Sequence, residues 1–388
     1  MIQDCSKELH HALVTERCHE SSRRICPVGR QPDVNIRALC RRFEISPATA
    51  YKLLKRYAQQ GQAGLANQSR RPQNSPGRTP PTIEQAIVAL RQAHPAWGGR
   101  KIAARLSQLG HAEVPPPSTV NSILHRHGLI SPVASNAATH WQRFEHELPN
   151  ALWQIDFKGY VETPAGRCHP LTLIDDHSRF NLLLAACGRT NTAVVQQALT
   201  GVFHRYGLPV RINADNGPPW GSSRAPGHGL TDLTIWLLRL GIGVSHSRPY
   251  HPQTNGKLER FHRSLKAEVL NGRSFEDLEQ AQRAFDRWRV VYNQQRAHEG
   301  IGMAVPVSRY RPSERPFPDT LAPIEYGPED HVLTVKWDGR VNFKGQRLKV
   351  SNALRELPIA FRPDPEQDGC YDVYFCHQRF LQLDLRLL

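Results

Sequence analysis

The spacing of hydrophobic residues predicts two short helices near the start of the chain. The first has its apolar face at Ile36, Leu39, Cys40 and Phe43. Ser46 and Pro47 then provide an N-cap and a first-turn proline for a second helix, from Ala48 to Tyr57. The outward positions of that helix are polar or basic: Thr49, Lys52, Lys55 and Arg56. This arrangement predicts a helix-turn-helix over residues 32–66 that contacts DNA through its second helix, with a plain helical hairpin as the alternative.

A second group of apolar stripes predicts three more helices. They are marked by Ile83, Ile87 and Leu90, by Ile102 and Leu106, and by Val120, Ile123 and Leu124, with Ser118 as the cap of the last helix. We expect a second helix-turn-helix over residues 82–130, in which Asn121 and Arg126 face DNA, and a solvated surface is the alternative. A linker rich in Ser, Arg, Pro and Gly joins the two modules over residues 67–81, where Arg70 and Arg71 can contact phosphates.

The pattern changes from helices to strands after Pro149. Three β-like runs fill residues 152–187, and helices then alternate with two further strands as far as about residue 296. This order predicts a mixed α/β domain over residues 149–312, preceded by a linker over 131–148. Beyond it, alternating runs separated by glycine turns predict a small antiparallel β-barrel over residues 313–388. Residues 1–31 show little periodicity and are treated as a separate N-terminal segment.

The net charge of the chain indicates the kind of partner that it binds. There are 50 Lys and Arg against 35 Asp and Glu in 388 residues, a formal charge of +15. Residues 1–150 hold 20 of these basic residues against only 10 acidic ones, which indicates nucleic acid as the partner of the helical modules. The sequence has no apolar run of 18 residues and no secretion signal, and its eight cysteines are scattered. We therefore expect a cytoplasmic protein with reduced thiols and no membrane contact.

Three acidic residues lie at positions in predicted strands and a helix that suggest a functional role. Asp156 lies within a predicted buried strand, Asp215 ends another strand just before Gly217, and Glu259 is on a predicted helix. Buried carboxylates need a partner, and two strand-borne aspartates with a helical glutamate can converge on Mg²⁺ or Mn²⁺ for phosphoryl transfer by two ions. Glu259 also shares a helix face with Arg263 and Lys266, so a plain surface ion pair between Glu259 and Arg263 is the alternative.

Several other polar groups invite a functional interpretation that the sequence does not favour. The run Asp175-Asp176-His177 is better explained by turn capping or an arginine pair, with Asp175 the next candidate ligand if Asp156 fails. Trp220 suits either base stacking or a packed loop. The N-terminal cysteines and histidines lack the spacing of a zinc site, so we expect no zinc; they are Cys5, His10, His11, Cys18 and Cys26.

Five stretches of the sequence resemble bacterial insertion-sequence transposases with a retroviral-integrase-type core. They are LWQIDFKG (152–159), LTLIDDHSR (171–179), INADNGPPWG (212–221), SRPYHPQTNGKLERFHRSLK (247–266) and YNQQRAHEGIG (292–302). The resemblance covers nearly the whole chain, and the run around Glu259 is long and specific. It implies an RNase H-like core with a mixed five-stranded sheet in the order 3-2-1-4-5. It also implies that Asp156, Asp215 and Glu259 are the DDE metal ligands.

The resemblance further implies what the protein does. A transposase of this kind binds the terminal inverted repeats of its element, hydrolyses one DNA strand at each end and joins the freed 3′-hydroxyl to target DNA. Two Mg²⁺ or Mn²⁺ ions per site, a dimer or larger assembly on double-stranded DNA, and a location at the bacterial nucleoid are implied as well. Asn216 and Gly217 would shape the active-site loop. Phosphate contacts near the site are expected from Lys257, Arg260, Arg263 and Lys266. The alternatives are a DNA-binding repressor with a decayed core and an RNase H-type nuclease.

Overall fold

The computed structural model describes residues 34–66, 77–130, 145–221, 230–246 and 256–387. The chain divides into two compact units at Arg78 and Thr79. In the first unit, α1 (Ile36–Arg42) and α2 (Pro47–Gln60) are followed by a 3₁₀ turn, Gly61–Leu65. The Ser46 hydroxyl accepts a hydrogen bond from the backbone N–H of Thr49 at 3.2 Å, so the predicted N-cap of α2 is confirmed.

The second unit begins with a three-helix module made of α3 (Pro81–Ala93), α4 (Gly99–Gln108) and α5 (Pro117–Arg126). The predicted apolar stripes meet in its core, where Ile87, Ile102 and Leu106 are fully buried together with Trp97. The prediction that Ser118 caps α5 is wrong. The helix begins at Pro117, whose fixed φ suits the first helical position and whose missing N–H needs no cap.

A mixed sheet forms the centre of the second unit. Its strands are β1 (Leu152–Phe157), β2 (Val161–Thr163), β3 (Gly166–Asp175), β4 (Asn181–Cys187), β5 (Arg211–Ala214) and β6 (Gly243–His246). The order is β2-β3-β1-β5-β6, with β4 also paired to β3. The predicted order 3-2-1-4-5 corresponds to β4-β3-β1-β5-β6 in this sheet. It is incomplete, because the short strand β2 forms a hairpin with the first residues of β3 and adds a sixth strand.

Helices cover both faces of this sheet. On one face, α6 (Thr192–Tyr206) and α7 (Asp232–Arg239) pack on inward residues such as Ile155 and Leu173. On the other face lie α8 (Gly256–Leu265), a π-helical turn (Lys266–Leu270) and α9 (Leu278–Gln294). Because side chains alternate along a strand, Asp156 of β1 and Thr172 of β3 point to the α8 face, opposite to Ile155 and Leu173.

The C-terminal strands form two sheets, so the predicted closed barrel is not confirmed. The strands are β7 (His331–Thr334), β8 (Arg340–Phe343), β9 (Gln346–Lys349), β10 (Pro358–Pro363), β11 (Cys370–Phe375) and β12 (Gln378–Asp384). The order β12-β11-β10-β7 makes one antiparallel sheet, while β8 and β9, among the described strands, pair with each other alone. Apolar packing joins the two sheets instead, since the rings of Phe343 and Phe361 stack with centroids 4.2 Å apart. Among the described residues, no helix is long and apolar enough to span a membrane.

Candidate active site

Two of the predicted acids come together at one end of the central sheet. β1 and β5 are adjacent parallel strands, and their register pairs Gln154 with Asn213. Continued by two residues, the same register sets Asp156 beside Asp215, where the two strands end. Neighbouring residues of paired strands project to the same face. Two carboxylates from distant parts of the sequence are thus neighbours because of strand pairing.

Asp156 is the more strongly perturbed of the two. Burial raises its pKa to about 6, the nearby Asp215 carboxylate adds to the rise, and a hydrogen bond from the Phe157 backbone and the charge of Lys158 oppose it. The Phe157 N–H lies 2.7 Å from the Asp156 carboxylate. The Asp215 carboxylate is exposed and accepts the N–H of Asn216 at 2.7 Å. Two carboxylates with few donors form a hard oxygen site that suits a divalent cation.

Glu259 lies on α8, on the same face of the sheet as Asp156, and its side chain is exposed. No ion pair to Glu259 is formed by a side chain that the structure describes, so the expected alternative of a pair with Arg263 is not observed. Within the described ranges, no three His, Cys, Asp or Glu residues are close enough together to hold a metal ion. The structure therefore brings Asp156 and Asp215 together, and among the described residues Glu259 does not form a three-residue metal-binding group with them.

A hydrogen-bonded link between α8 and β1 is the feature that sequence reasoning missed. His262 Nε2 lies 2.8 Å from the hydroxyl of Thr172, and that hydroxyl donates to the backbone carbonyl of Asp156 at 2.8 Å. Burial lowers the pKa of His262 to about 3, with Lys158 contributing, so its ring is neutral. The alternation of β3 contained a signal for this link, because it places Thr172 among buried residues that face α8.

The acid cluster at the other end of β1 has a structural role. Asp175 is fully buried and accepts hydrogen bonds from the Asn150 and Ser178 backbones, both at 2.8 Å, and from the Ser178 hydroxyl at 2.6 Å. This confirms the prediction of turn capping. Asp176 accepts from Gln154 and the His146 backbone at 3.0 Å and pairs with Lys257. Lys257, predicted to contact DNA, is therefore half-buried against a carboxylate.

The remaining residues predicted to contact DNA differ in exposure and in whether their side chains are bound to other parts of the protein. Six are exposed in the structure: Thr49, Lys52, Lys55, Arg260, Arg263 and Lys266. Arg56 donates to the Ala66 carbonyl and closes the turn after α2. Asn121 accepts the N–H of Gly99 at 3.1 Å and so joins α5 to the start of α4. Arg126 pairs with Glu84 at 2.8 Å.

Two groups of predicted site residues lie outside the described residues, whereas the structure does describe Trp220. Arg70 and Arg71 fall in the range 67–76, and the N-terminal cysteine and histidine group falls before residue 34, so neither can be located. Trp220 is 4% exposed, with its ring 6.1 Å from that of Phe157, as expected of a packed loop. The base-stacking interpretation of Trp220 is therefore not supported.

Comparisons with known protein families agree with this organisation. Residues 146–252 and 240–306 match integrase core domains, residues 49–124 match a homeodomain-like domain, and residues 330–387 match the C-terminal domain of the IS481 family transposases. Each of these matches covers less than half of the chain. The two integrase matches together include all three predicted acids, whereas the homeodomain-like match extends from α2 to α5.

Individual relatives come from bacteria and retroviruses. An uncharacterized 39.2 kDa protein of insertion element IS476 from Xanthomonas euvesicatoria is 28% identical over 63% of this chain and 69% of its own length. A 31.7 kDa protein of insertion element IS407 from Burkholderia multivorans is 27% identical over 46% of this chain and 61% of its own. The Gag-Pol polyprotein of avian reticuloendotheliosis virus is 27% identical over 33% of this chain and 10% of its own.

Solved structures of retroviral proteins align with parts of the chain. A chain of the simian T-cell lymphotropic virus intasome is 16% identical, with 76% of this chain and 99% of that one covered and a TM-score of 0.37. The HTLV-2 integrase catalytic core with magnesium is 17% identical over 42% of this chain and 97% of its own, with a TM-score of 0.33. The chain thus combines matches to an integrase core, a homeodomain-like domain and the IS481 transposase C-terminal domain, and it has insertion-element proteins among its homologues.

Proposed function

We propose that the protein is a DDE transposase that cuts one DNA strand at each end of an insertion sequence and joins the freed 3′ end to target DNA. The observation that carries this proposal is the convergence of Asp156 and Asp215 at the ends of two adjacent parallel strands. A half-buried carboxylate such as Asp156, with one backbone donor among the described residues, is costly unless a cation neutralises it. Glu259, on the α8 face of the same sheet, is the third ligand in this proposal.

The chain's own residues have defined tasks in the reaction. Asp156 and Asp215 bind the cations as carboxylates, and the pKa of Asp156, near 6, leaves it ionised above neutral pH. Glu259, from α8, is the third carboxylate ligand in this proposal. Two divalent ions, Mg²⁺ or Mn²⁺, when bound lower the pKa of the attacking water or 3′-hydroxyl and stabilise the leaving oxygen. Arg260, Arg263 and Lys266 follow Glu259 on α8 and hold phosphates.

DNA binding is assigned to the helical modules. The exposed side chains of Thr49, Lys52 and Lys55 on α2 are available to contact the terminal inverted repeats. Two ends must be cut and joined in one event, which requires a dimer or larger assembly on the DNA. A protein with these substrates acts at the bacterial nucleoid.

The decisive experiment is a strand-transfer assay with paired transposon-end DNAs, target DNA and Mg²⁺. The transposase is expected to cleave at the 3′ ends and to join them to the target, and chelation of the metal should abolish both reactions. A repressor with a decayed core, the first alternative, would bind the ends without metal-dependent cleavage. An RNase H-type nuclease, the second alternative, would cleave without joining.

The DNA-binding role of α2 has its own test. Lys52→Ala removes one exposed positive charge, so we expect affinity for end DNA to fall several-fold and the dependence on log salt concentration to become shallower by about one. Titrations of labelled end DNA at several salt concentrations measure both quantities. Unchanged affinity at physiological salt would remove Lys52 from the interface.

A further inference from the structure

We propose that Thr172 and His262 are positioning residues that hold α8, and with it Glu259, at a fixed place relative to Asp156. This inference rests on the proposed function, because it concerns how the three acids are brought to one site. It adds two residues that neither bind the cations nor touch DNA. They act through the backbone of Asp156 and through the helix that carries Glu259.

The first step of the argument is the place of Thr172 in the sheet. In the antiparallel register of β1 and β3, Thr172 lies directly opposite Asp156. Its side chain therefore projects to the same face as the Asp156 carboxylate. Thr172 is fully buried, and its hydroxyl donates to the Asp156 carbonyl at 2.8 Å.

The second step is the direction of the hydrogen bond to His262. A threonine hydroxyl has one proton, and here that proton is given to the Asp156 carbonyl. The contact of 2.8 Å between the hydroxyl and His262 Nε2 must then be donated by the ring, so Nε2 carries the hydrogen. His262 is only 8% exposed, which keeps water from competing for this bond. The chain from ring to hydroxyl to carbonyl is thus directional at both links.

The third step is the effect on Glu259. Leu258, Phe261 and Leu265 attach α8 to the sheet by apolar contacts, which resist separation but not sliding or rotation. The hydrogen bond of His262 removes that freedom. Glu259 lies three residues before His262, about 4.5 Å along the helix axis. A slide of α8 by one helical turn, about 5.4 Å, would displace Glu259 along β1 by more than the spacing of about 3.5–4 Å between paired catalytic ions.

A second polar contact lies on the other side of Glu259. Lys257, two residues before it, pairs with Asp176 beyond the opposite end of β1. Glu259 is therefore flanked by two attachments to the β1–β3 pair, one at each end. The attachment through Lys257 joins a flexible side chain to a carboxylate, whereas the attachment through His262 joins a rigid ring to the backbone of a proposed ligand. We therefore assign the finer positioning to His262 and Thr172.

The test compares variants that remove or keep the hydrogen bonds. Thr172→Val removes the hydroxyl at nearly constant shape, and Thr172→Ser keeps it. His262→Leu removes the ring donor, and His262→Gln keeps an N–H at a similar reach. We expect the Val and Leu variants to cleave end DNA about 10²-fold more slowly and to need more Mg²⁺ for half-maximal cleavage. The Ser and Gln variants should recover most of the rate, and affinity for end DNA should be unchanged in all four.

The controls separate positioning from plain stability. Thermal unfolding of each variant identifies the folded fraction, and the cleavage rate is expressed per folded molecule. Equal rates per folded molecule in all four variants would overturn the inference, as would equal losses in the Ser and Val variants. If one Val or Leu variant does not fold, the other pair decides the result by the same criteria. A wild-type protein without metal-dependent cleavage would instead refute the proposed function itself.

Discussion

Two pairs of aspartates lie near opposite ends of β1, and the protein surrounds them differently with hydrogen-bond donors. Asp175 and Asp176 are almost fully buried and receive hydrogen bonds from backbone and side-chain donors. Asp156 and Asp215 meet at the other end, and each accepts a hydrogen bond from the backbone N–H of the residue that follows it. The first pair receives several donors each, whereas the described residues give each member of the second pair one backbone donor.

This difference separates structural carboxylates from proposed metal ligands. A buried carboxylate surrounded by donors has no remaining need for a cation, and it stabilises the turn that supplies those donors. A half-buried carboxylate beside a second one, with few donors, costs stability until a cation binds. All four residues lie within or directly after a predicted strand, and the sequence favoured turn capping or an arginine pair for Asp175 and Asp176.

The largest expected effect is on catalysis at the second pair. Asp156→Asn keeps the shape and the hydrogen bond from Phe157 but removes the charge. We expect cleavage of end DNA to fall by about 10³-fold or more, because several kcal/mol of cation-based stabilisation is lost. Binding of end DNA, measured in parallel, should remain nearly intact. Asp368→Asn, on an exposed turn, is the matched control and should cleave normally. Equal loss of binding and cleavage would mean that Asp156 is structural.

The next effect is on stability at the first pair. Asp175→Asn places an amide group where the carboxylate accepts three hydrogen bonds, so at least one buried donor of Asn150 or Ser178 loses its acceptor. We expect the free energy of unfolding to fall by about 3 kcal/mol. Urea titration measures this change, with Asp368→Asn again as the control. A change below about 0.5 kcal/mol would contradict the structural role of Asp175.

The sequence was sufficient to predict the features of the fold that depend on local residue patterns. The cap at Ser46, the apolar stripe of Ile102 and Leu106 and the existence of the core strands follow from period and capping chemistry alone. The predicted antiparallel β-barrel is not confirmed, and strand alternation does not specify which strands pair. The sixth strand was missed for a related reason: β2 is only three residues long, too short to show an alternating pattern.

The candidate site was only partly predictable. Motif resemblance implied Asp156, Asp215 and Glu259 as ligands, and the implied strand order set the two aspartate-bearing strands side by side. The residue-by-residue register of β1 and β5 came only from the structure. Exposure of basic residues was predicted from helical period, which cannot detect an intramolecular acceptor. Arg126 pairs with Glu84 from another helix, and Lys257 pairs with Asp176 from the sheet, and neither partner is near in sequence.

A smaller effect is the pH dependence of the effect that Asp156 has on stability. Folding raises the pKa of Asp156 from 3.8 to about 6, so the native state disfavours its charged form. This cost is absent below pH 3.8, grows between pH 3.8 and 6 and is complete above pH 6. In metal-free buffer at pH 7.5, Asp156→Asn should therefore be more stable than the wild type by on the order of 2 kcal/mol. Urea titrations at pH 7.5 and 4.5 should show the gain shrinking at the lower pH, and a gain of equal size at both would contradict this origin.

The smallest effect is the response of stability to the metal. A cation that binds the native state alone, at ten times its Kd, raises the free energy of unfolding by about 1.4 kcal/mol. Mg²⁺ should therefore raise the thermal midpoint of the wild type and of Asp368→Asn, but not that of Asp156→Asn, which lacks a ligand charge. The shift should weaken at pH 5.5, because protons then compete with Mg²⁺ for Asp156. A Mg²⁺ shift in Asp156→Asn as large as in the wild type would place the cation elsewhere and remove the contrast between the two aspartate pairs.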